Sequence, residues 1–282
     1  MKLGAFEIYP VTDGRFRLDG GAMFGVVPKT LWERCCPADD LNRIPLSLTC
    51  LLINAHGKHV LVDTGLGDKE DAKFQSIFAV ERRPTLRESL AQRGLSPDDI
   101  HLVVNTHLHF DHAGGNTVTA EAQIVKPAFP KAAYCVQLGE YEDAVQANER
   151  TRASYRHDNL TPVSHAGQWE FIRGDTELLP GITAVVTAGH TRYHQSVKVE
   201  SDGETAFFLG DLIPTVSHLP LPYIMGYDLN PVRTLDTKRL VLEQAVAEHW
   251  LLIFEHDPLV QAGHIRKTAE GRYVLEEVRL WQ

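Results

Sequence analysis

The chain has 282 residues, 43% of them hydrophobic and 23% charged, and its formal net charge is −9 at pH 7. This is the composition of an ordinary soluble globular protein, and the chain is long enough to bury a sizeable core without disulfides. The acidic balance disfavours nucleic acid as a partner, and no apolar run is long enough to span a membrane.

Short β-type runs alternate with helical runs along the chain, which predicts an α/β fold. Residues 50–54 and 59–62 are two predicted strands joined by a polar turn, and Thr85 and Glu88 form a capping box for a predicted helix that ends near Gln92. The later predicted elements are strands over 102–104, 182–187, 206–209 and 250–254 and helices over 136–148 and 234–248.

The cysteines and the N-terminus predict a cytoplasmic protein. Residues 1–9 contain no long apolar segment of the kind found in signal peptides. The four cysteines form no C-x-x-C pair, which argues against a zinc ribbon or a disulfide framework; they are Cys35, Cys36, Cys50 and Cys135. We expect reduced thiols, and because no segment has the composition of a linker, we predict one domain over residues 1–282.

Histidine or aspartate follows four of the predicted strands within a few residues. The four positions are Thr106-His107, Gly189-His190, Gly210-Asp211 and Glu255-His256. Open α/β sheets bind ligands outside the carboxyl ends of their strands. We therefore expect these side chains to converge at one edge of a sheet.

The segment after residues 102–104 is the richest in metal-binding residue types. His107, His109 and Asp111 are spaced by two and lie on one face of an extended chain, whereas His112 points elsewhere. Imidazole and carboxylate ligands suit zinc, with iron, manganese or cobalt as alternatives. A polar loop that contacts only solvent is the other interpretation. Three histidines and one aspartate within six residues favour a metal site.

This H-x-H-x-D-H segment resembles the signature of the metallo-β-lactamase superfamily. Asp63, Gly189-His190-Thr191, Gly210-Asp211 and His256-Asp257 resemble the other motifs of the family in the same order, over roughly residues 45–260. The resemblance implies an αββα sandwich, in which two mixed β-sheets lie face to face with helices outside. It also places the site at one edge of the sandwich.

The resemblance further implies a dinuclear site. One divalent ion would be held by His107, His109 and His190, and the other by Asp111, His112 and His256. Asp211 and a hydroxide would bridge the two ions, and Asp111 and Asp211 are the candidate catalytic carboxylates. Asp63 is expected to orient the residues 107–112 by hydrogen bonds, with a plain Asp-Thr-Gly turn as the alternative.

Hydrolysis is the predicted reaction. Two divalent ions close together hold hydroxide at neutral pH, and the chain has no evident Ser-His-Asp or thiol nucleophile. A mononuclear-iron persulfide dioxygenase is a redox alternative within the same fold. A metal-binding protein without turnover is a third alternative. Both His112 and His256 are present, which disfavours the dioxygenase. Intact His109, Asp211 and His256 disfavour a protein without turnover.

The substrate prediction depends on a closer resemblance. Residues 107–116 are similar to the corresponding segment of the acyl-homoserine lactonase and methyl parathion hydrolase branch. A small lactone or carboxylic ester is the expected substrate, with phosphotriester hydrolysis as the alternative. Residues 20–29 resemble a loop beside the substrate pocket of these relatives, where Met23 and Phe24 would contact an apolar acyl or aryl group. A strand and turn without ligand contact is the other interpretation of this loop.

Lactonases of this branch often carry a tyrosine three residues after the bridging aspartate, where this chain has Pro214. Several residues are candidates for its hydrogen bond to the substrate, and the sequence does not choose among them: Tyr193, His218, Tyr223 and Tyr227. Residues 148–162 are either a lid over the site or a polar surface helix and loop. By analogy with relatives, we expect a homodimer.

Overall fold

The computed structural model describes residues 1–279, so residues 280–282 of the predicted single domain lie outside the described part of the chain. The strands of the first half are β1 (Lys2–Leu3), β2 (Phe6–Asp19), β3 (Arg43–Ala55), β4 (Lys58–Val62), β5 (Leu102–Val104), β6 (Thr117–Thr119), β7 (Val125–Pro127) and β8 (Ala133–Gln137). Those of the second half are β9 (Trp169–Ile172), β10 (Thr176–Leu179), β11 (Ile182–Val186), β12 (Gln195–Ser201), β13 (Glu204–Phe208), β14 (Leu251–Ile253), β15 (Ala262–Lys267) and β16 (Tyr273–Glu277).

The helices connect these strands and are mostly short. They are α1 (Gly20–Phe24), α2 (Lys29–Trp32), α3 (Ala72–Ile77), α4 (Leu86–Ala91), α5 (Phe110–Ala113), α6 (Leu138–Val145), α7 (His157–His165) and α8 (Pro231–Ala247). Among residues 1–279, no helix combines the length and the apolar character needed to cross a membrane.

Two seven-stranded mixed sheets form the centre of the fold. The first has the order β1-β2-β3-β4-β5-β8-β9, antiparallel as far as β4 and parallel beyond it. The second has the order β10-β11-β12-β13-β14-β15-β16, in which β13 and β14 are parallel and the other neighbours antiparallel. A small hairpin of β6 and β7 stands apart from both.

The main apolar core lies between the inner faces of the two sheets. Ile53 and Val62 of the first sheet and Val197, Phe208 and Ile253 of the second belong to one fully buried cluster. Successive strand residues point to opposite faces, so the outer faces are apolar as well and need helices to cover them. Burial of this surface stabilises the fold by roughly 25 cal/mol per Å².

Helices cover both outer faces. Leu86 and Leu90 of α4 pack against the outer face of the first sheet. Val241 and Leu242 of α8 pack against the second sheet beside Phe207. The predicted αββα sandwich, with two mixed sheets inside and helices outside, is therefore confirmed.

Helix ends follow local capping. The predicted capping box is present before α4, since Thr85 Oγ1 accepts from the backbone N–H of Glu88 at 3.2 Å and Glu88 accepts from Thr85 in return. The predicted helix over 136–148 starts too early, because residues 136 and 137 complete the buried strand β8. Helix α8 starts earlier than predicted because the Asn230 side chain accepts from the N–H of Arg233 at 3.0 Å.

The carboxyl ends of several strands meet at one edge of the sandwich. In the first sheet, β4 and β5 run parallel and end before Asp63 and the loop at residues 105–109. In the second, β13 and β14 run parallel and end before Asp211 and His256. The backbone N–H of Ser47 donates to the carbonyl oxygen of His256 at 3.0 Å and links the two sheets at this edge.

Candidate metal centre

The loop after β5 carries four of the predicted ligands. Its backbone is extended at His109 (φ −64°, ψ 158°) and then enters α5. Asp111 therefore lies in a helical turn rather than in an extended segment with His107 and His109, which corrects the prediction from their spacing. The turn packs closely on its surroundings, because a Cβ at Gly114 would lie 2.0 Å from the carbonyl oxygen of Leu66.

The structure brings all seven predicted ligands together. They form three overlapping buried groups, in each of which the potential ligand atoms lie within 4.8 Å of one another. The groups are His107, His109 and His190; His107, His112 and Asp211; and Asp111, His112 and His256. Residues from both sheets thus meet at one point, as the positions of the strand ends require.

The carboxylate of Asp211 lies in the middle of this cluster. Its Oδ2 is 3.1 Å from Nε2 of His190 and 3.6 Å from Nε2 of His112. Its Oδ1 is 3.1 Å from Nε2 of His256. A carboxylate with imidazole nitrogens on both sides can offer one oxygen to each of two cations.

Hydrogen bonds fix the rings of His190 and His256 so that one nitrogen of each is directed inward. His190 donates through Nδ1 to Asp228 Oδ1 at 2.9 Å, and His256 donates through Nδ1 to the carbonyl oxygen of Ser47 at 2.8 Å. The inward Nε2 of His107 is buried and lacks a hydrogen-bond partner among residues 1–279. Unpaired inward lone pairs and fixed outer nitrogens are what a divalent metal ion with imidazole ligands requires.

The protonation states of His107, His109 and Asp211 suit a cation. Burial, with the nearby imidazole of His112, lowers the pKa of His107 well below its ordinary value, and burial does the same for His109. Burial alone would raise the pKa of Asp211, but the surrounding imidazoles, His190 foremost, hold it well below its ordinary value. Burial alone would lower the pKa of His112, His190 and His256, but nearby carboxylates raise all three above the ordinary value, that of His256 to about 9. Metal binding requires neutral imidazoles, so a cation at this site would displace the protons of these three rings.

Two buried carboxylates lie behind His112. Asp63 accepts from the backbone N–H of Thr106 at 2.8 Å and from its hydroxyl at 2.6 Å, and it accepts from His112 Nδ1 at 3.1 Å. Glu255 Oε1 lies 3.1 Å from the same nitrogen, and burial raises the pKa of Glu255 to about 8. Sequence reasoning missed Glu255, although an acidic residue at the end of a buried strand is a signal.

His194 supports the backbone of Asp211, next to the rings of His107 and His190. Its Nε2 accepts from the backbone N–H of Asp211 at 3.1 Å, and its Nδ1 donates to the hydroxyl of Thr187 at 2.8 Å. The signal in the sequence is its position four residues after His190. The sequence analysis gave His194 no role.

Glu140, on α6, connects segments that are distant in the chain. The fully buried carboxylate accepts from the backbone N–H of Leu108 at 3.1 Å, from the Tyr155 hydroxyl at 2.9 Å and from the Thr191 hydroxyl at 2.7 Å. It therefore holds the loop after β5, the loop after His190 and the segment around Tyr155 together. Neither Glu140 nor Asp228 stands in a recognisable motif, so the sequence offered no signal for them.

A cavity of about 280 Å³ opens over the ligand cluster. Its floor includes His109, Asp111, His190, Asp211 and His256, and its walls are largely apolar. The wall residues are Leu18, Met23, Phe78, Phe110, Arg150, Thr151, Ala153, Ser154, Met225, Gly226, Tyr227 and Leu229. The cavity thus combines polar donors at its base with apolar surface for a substrate.

A buried lysine supports the segment that leads to this wall. Lys238 of α8 is 1% exposed, and its ammonium group donates to the carbonyl oxygens of His218, Pro220 and Tyr223. Three donors on one ammonium thus satisfy three backbone acceptors, one at the end of the short 3₁₀ helix Val216–His218 and two in the irregular stretch after it. This bonding fixes the path of the chain before Met225.

Comparison with known families decides the assignment. Residues 43–264 match the model of the "Metallo-beta-lactamase superfamily". The chain belongs to this superfamily. It is a metal-dependent hydrolase, and its buried His and Asp groups occupy the edge of the sandwich described above.

Relatives of this superfamily member agree with the assignment. An N-acyl homoserine lactonase of Bacillus thuringiensis is 30% identical over 265 residues, which cover 89% of this chain and 93% of that protein. A probable metal-dependent hydrolase of Staphylococcus aureus superposes with a TM-score of 0.89 at 30% identity, covering 99% and 100% of the two chains. AidC, a dizinc quorum-quenching lactonase, shares the fold, with a TM-score of 0.82 at 21% identity and coverage of 99% and 97%.

The predicted pocket residues of this hydrolase occupy different places. Met23 lines the cavity, whereas Phe24 lies behind it and stacks on Trp32 and His218 with ring centroids 5.2 and 4.5 Å away. Both ring nitrogens of His218 are engaged, one with the Thr215 hydroxyl at 2.7 Å and the other with the Met23 carbonyl oxygen at 2.8 Å.

The three candidate tyrosines also differ in position. The ring of Tyr193 lies against Gly139, and Tyr223 meets Phe24 edge-on at 6.0 Å. Tyr227 lines the cavity, and burial raises its pKa to about 12, so its hydroxyl stays protonated at neutral pH. Tyr227 is therefore the candidate that is both close to the ligands and able to donate.

The segment at residues 148–162 divides into two parts. Its first half forms turns, and Thr151, Ala153 and Ser154 line the cavity. The backbone N–H of Phe110 donates to the carbonyl oxygen of Ser154 at 2.8 Å, which fastens this half to the loop after β5. The second half begins α7 at His157.

Proposed function

We propose that the protein is a dinuclear metallohydrolase that opens lactones or cleaves carboxylic esters with an apolar acyl group. The observation that carries the proposal is the set of seven buried His and Asp residues, with Asp211 at their centre, at the base of a cavity whose walls are largely apolar. Zinc is the expected metal, with iron, manganese or cobalt as alternatives, because the donors are imidazoles and carboxylates.

The names of the relatives support a lactone substrate. The Bacillus thuringiensis relative is an N-acyl homoserine lactonase, and AidC was crystallised with a product, an N-acyl homoserine. Such a substrate has a polar ring to be opened and an apolar chain. The floor and walls of the cavity offer surfaces of these two kinds.

The bound metal ions would supply an activated water at neutral pH and would polarise the substrate carbonyl. Asp228 and Asp63 accept from the outer nitrogens of His190 and His112 and so fix the direction of the inner ones, and the Glu255 carboxylate lies beside His112. Asp211, at the centre, is proposed to accept a proton through one carboxylate oxygen when the ester or ring opens. The Tyr227 hydroxyl is proposed to donate a hydrogen bond to a substrate oxygen. Pro214, which stands where related lactonases often have a tyrosine, has no hydroxyl for this role.

The remaining parts of the proposal concern the whole chain. We propose that residues 1–282 act as one domain, because the apolar cluster between the sheets includes residues from β1 to β15. A homodimer in the cytoplasm remains our prediction from the sequence.

Turnover on a defined panel tests the function. Purified protein of measured metal content would be assayed with acyl lactones, aryl esters and paraoxon-like phosphotriesters, before and after removal of metal with a chelator. We expect two metal ions per chain, turnover of lactones or esters, and loss of turnover on chelation that is reversed by zinc.

Other results would contradict the proposal. Faster turnover of triesters than of lactones and esters would make phosphotriester hydrolysis the main activity. One iron per chain would favour persulfide oxidation. Tight metal binding with no turnover on the whole panel would overturn the assignment to lactones and esters.

A further inference from the structure

A second cavity of about 490 Å³ adjoins the cavity over the ligand cluster. The two share Thr151 and Leu229 in their linings. The other residues around the second cavity are largely polar: Asp143, Gln146, Asn148, Tyr155, Ala188, Gly189, Arg192, Asn230 and Arg233. Thr151 and Leu229 therefore lie where the two cavities adjoin.

The boundary between the two cavities is built from the metal-site loops themselves. The backbone N–H of Leu229 donates to the carbonyl oxygen of His190 at 2.9 Å, and that of Asn230 donates to Gly189 at 2.9 Å. Tyr155, which lines the second cavity, has its ring centroid 5.0 Å from that of His109. The second cavity is thus held in a fixed position next to the candidate ligands.

The charge of the second cavity differs in sign from that of the protein. Its lining has two guanidinium groups and one carboxylate, whereas the chain carries a formal net charge of −9. Arg192 lies 3.7 Å from Asp143, which balances part of its charge. Arg233 forms no ion pair within residues 1–279 and stands in the first turn of α8, the end of a helix that favours anions. The lining therefore keeps one uncompensated cation.

We propose that the second cavity binds a carboxylate at the far end of the acyl chain of the substrate, through Arg233 and Arg192. The inference rests on the proposed hydrolase function and specifies its substrate class as lactones or esters whose acyl group ends in an anion. A guanidinium group suits this role because its planar donors match the two oxygens of a carboxylate. The amides of Gln146, Asn148 and Asn230 add neutral hydrogen-bonding groups around the anion.

Matched ester pairs test the inference in the metal-loaded enzyme. Aryl monoesters of dicarboxylic acids of increasing length would be compared with uncharged aryl esters of the same length. The measured quantity is the ratio of kcat/KM for the charged ester to that for the uncharged ester. We expect this ratio to exceed one at the chain length that reaches Arg233 and to fall about tenfold in Arg233→Gln, as for the loss of one charge-assisted hydrogen bond.

The charge-reversed double variant Arg192→Glu/Arg233→Glu should bring the ratio below one. Arg239→Gln is the matched control, because Arg239 lies on α8 but pairs with the exposed Asp236 and lines neither cavity. Its ratio should equal that of the unmodified protein. Folding of each variant would be checked by its metal content and thermal transition.

Two results separate the inference from the function on which it rests. If uncharged esters are hydrolysed and the ratio is the same in all variants, the carboxylate subsite is refuted while the hydrolase function stands. If no ester or lactone is hydrolysed by metal-loaded protein, the hydrolase function fails first. A preference for an uncharged amide end over a carboxylate would likewise overturn the inference.

Discussion

The floor and the wall of the cavity over the ligand cluster are held in place by different forces. On the floor, His190 and His256 each have one ring nitrogen bound to a buried acceptor, and both are at most 2% exposed. On the wall, Leu18, Met23 and Met225 have no polar group to fix and contribute only packing. Hydrogen bonds therefore fix the positions of the candidate metal ligands, whereas the volumes of the apolar side chains set the shape of the cavity that would hold the substrate. Substitutions on the floor should therefore lower metal binding, whereas substitutions on the wall should change substrate preference and leave metal binding intact.

The largest effect is expected at the centre of the floor. Asp211→Asn keeps the shape of the side chain but removes its charge and one acceptor oxygen. We expect kcat/KM to fall by more than the roughly 10–100-fold typical of residues that only support a metal ligand, together with loss of bound metal. Metal analysis and a lactone assay measure both. Asp202→Asn, in an exposed turn, is the matched control. Full metal content and activity in Asp211→Asn would contradict its bridging position.

A supporting residue of the floor should give the next largest effect. Asp228→Asn leaves a hydrogen-bond acceptor near His190 but removes the negative charge that fixes its ring. We expect a loss of about 10–100-fold in metal affinity or activity, measured by competition with a chelator. Asp236→Asn, exposed on α8, should change neither. Equal metal affinity in the two variants would show that Asp228 does not support the site.

Tyr227 belongs to the wall but carries a polar group, so it tests whether the two sides are fully distinct. Tyr227→Phe keeps the ring and removes the hydroxyl. We expect kcat/KM to fall up to about tenfold, the value of one hydrogen bond, with no change in metal content. Because its pKa is about 12, the hydroxyl should add no ionisation to the pH profile between pH 6 and roughly 10. A loss of metal in this variant would show that Tyr227 also supports the metal site, which contradicts the prediction.

The smallest effect is expected on the purely apolar wall. If Met23 packs against the acyl chain, each added methylene of the substrate should raise kcat/KM by up to about fourfold until the cavity is full, since one buried methylene contributes about 0.8 kcal/mol. Met23→Ala should flatten this dependence and leave metal content unchanged. Val26→Ala, at a neighbouring position that is 95% exposed, is the control. An unchanged chain-length dependence in Met23→Ala would place the acyl chain elsewhere.

The floor could be predicted from the sequence, and the wall largely could not. His107 to His112 stand in one short segment, and His190, Asp211 and His256 each follow a recognisable strand, so local pattern and strand order were enough. Met225 and Tyr227 have no such marker. They reach the site only because α8 and the preceding segment pack against the second sheet, and a single sequence does not reveal that packing.

The local pattern of apolar residues also explains why the start of the predicted helix over residues 136–148 was wrong. Residues 134–136 form a short apolar run that suits a buried strand as well as the start of a helix, and the pairing of β8 with β5 and β9 decides for the strand. Asp228 was missed for a related reason. Its contact with His190 spans 38 residues of sequence, and neither residue predicts the other.

Lys238 has a consequence for how this hydrolase can diverge. Its ammonium group recognises carbonyl oxygens, which every amino acid supplies, and it makes no demand on the side chains at positions 218, 220 and 223. The exposed side chain at position 220 can be exchanged during evolution, or in the laboratory, while the backbone keeps its course, whereas His218 is also fixed by its own hydrogen bonds to Thr215 and Met23. One buried lysine thereby makes an irregular stretch beside the site tolerant of new sequence, and new sequence there is a route to new substrates.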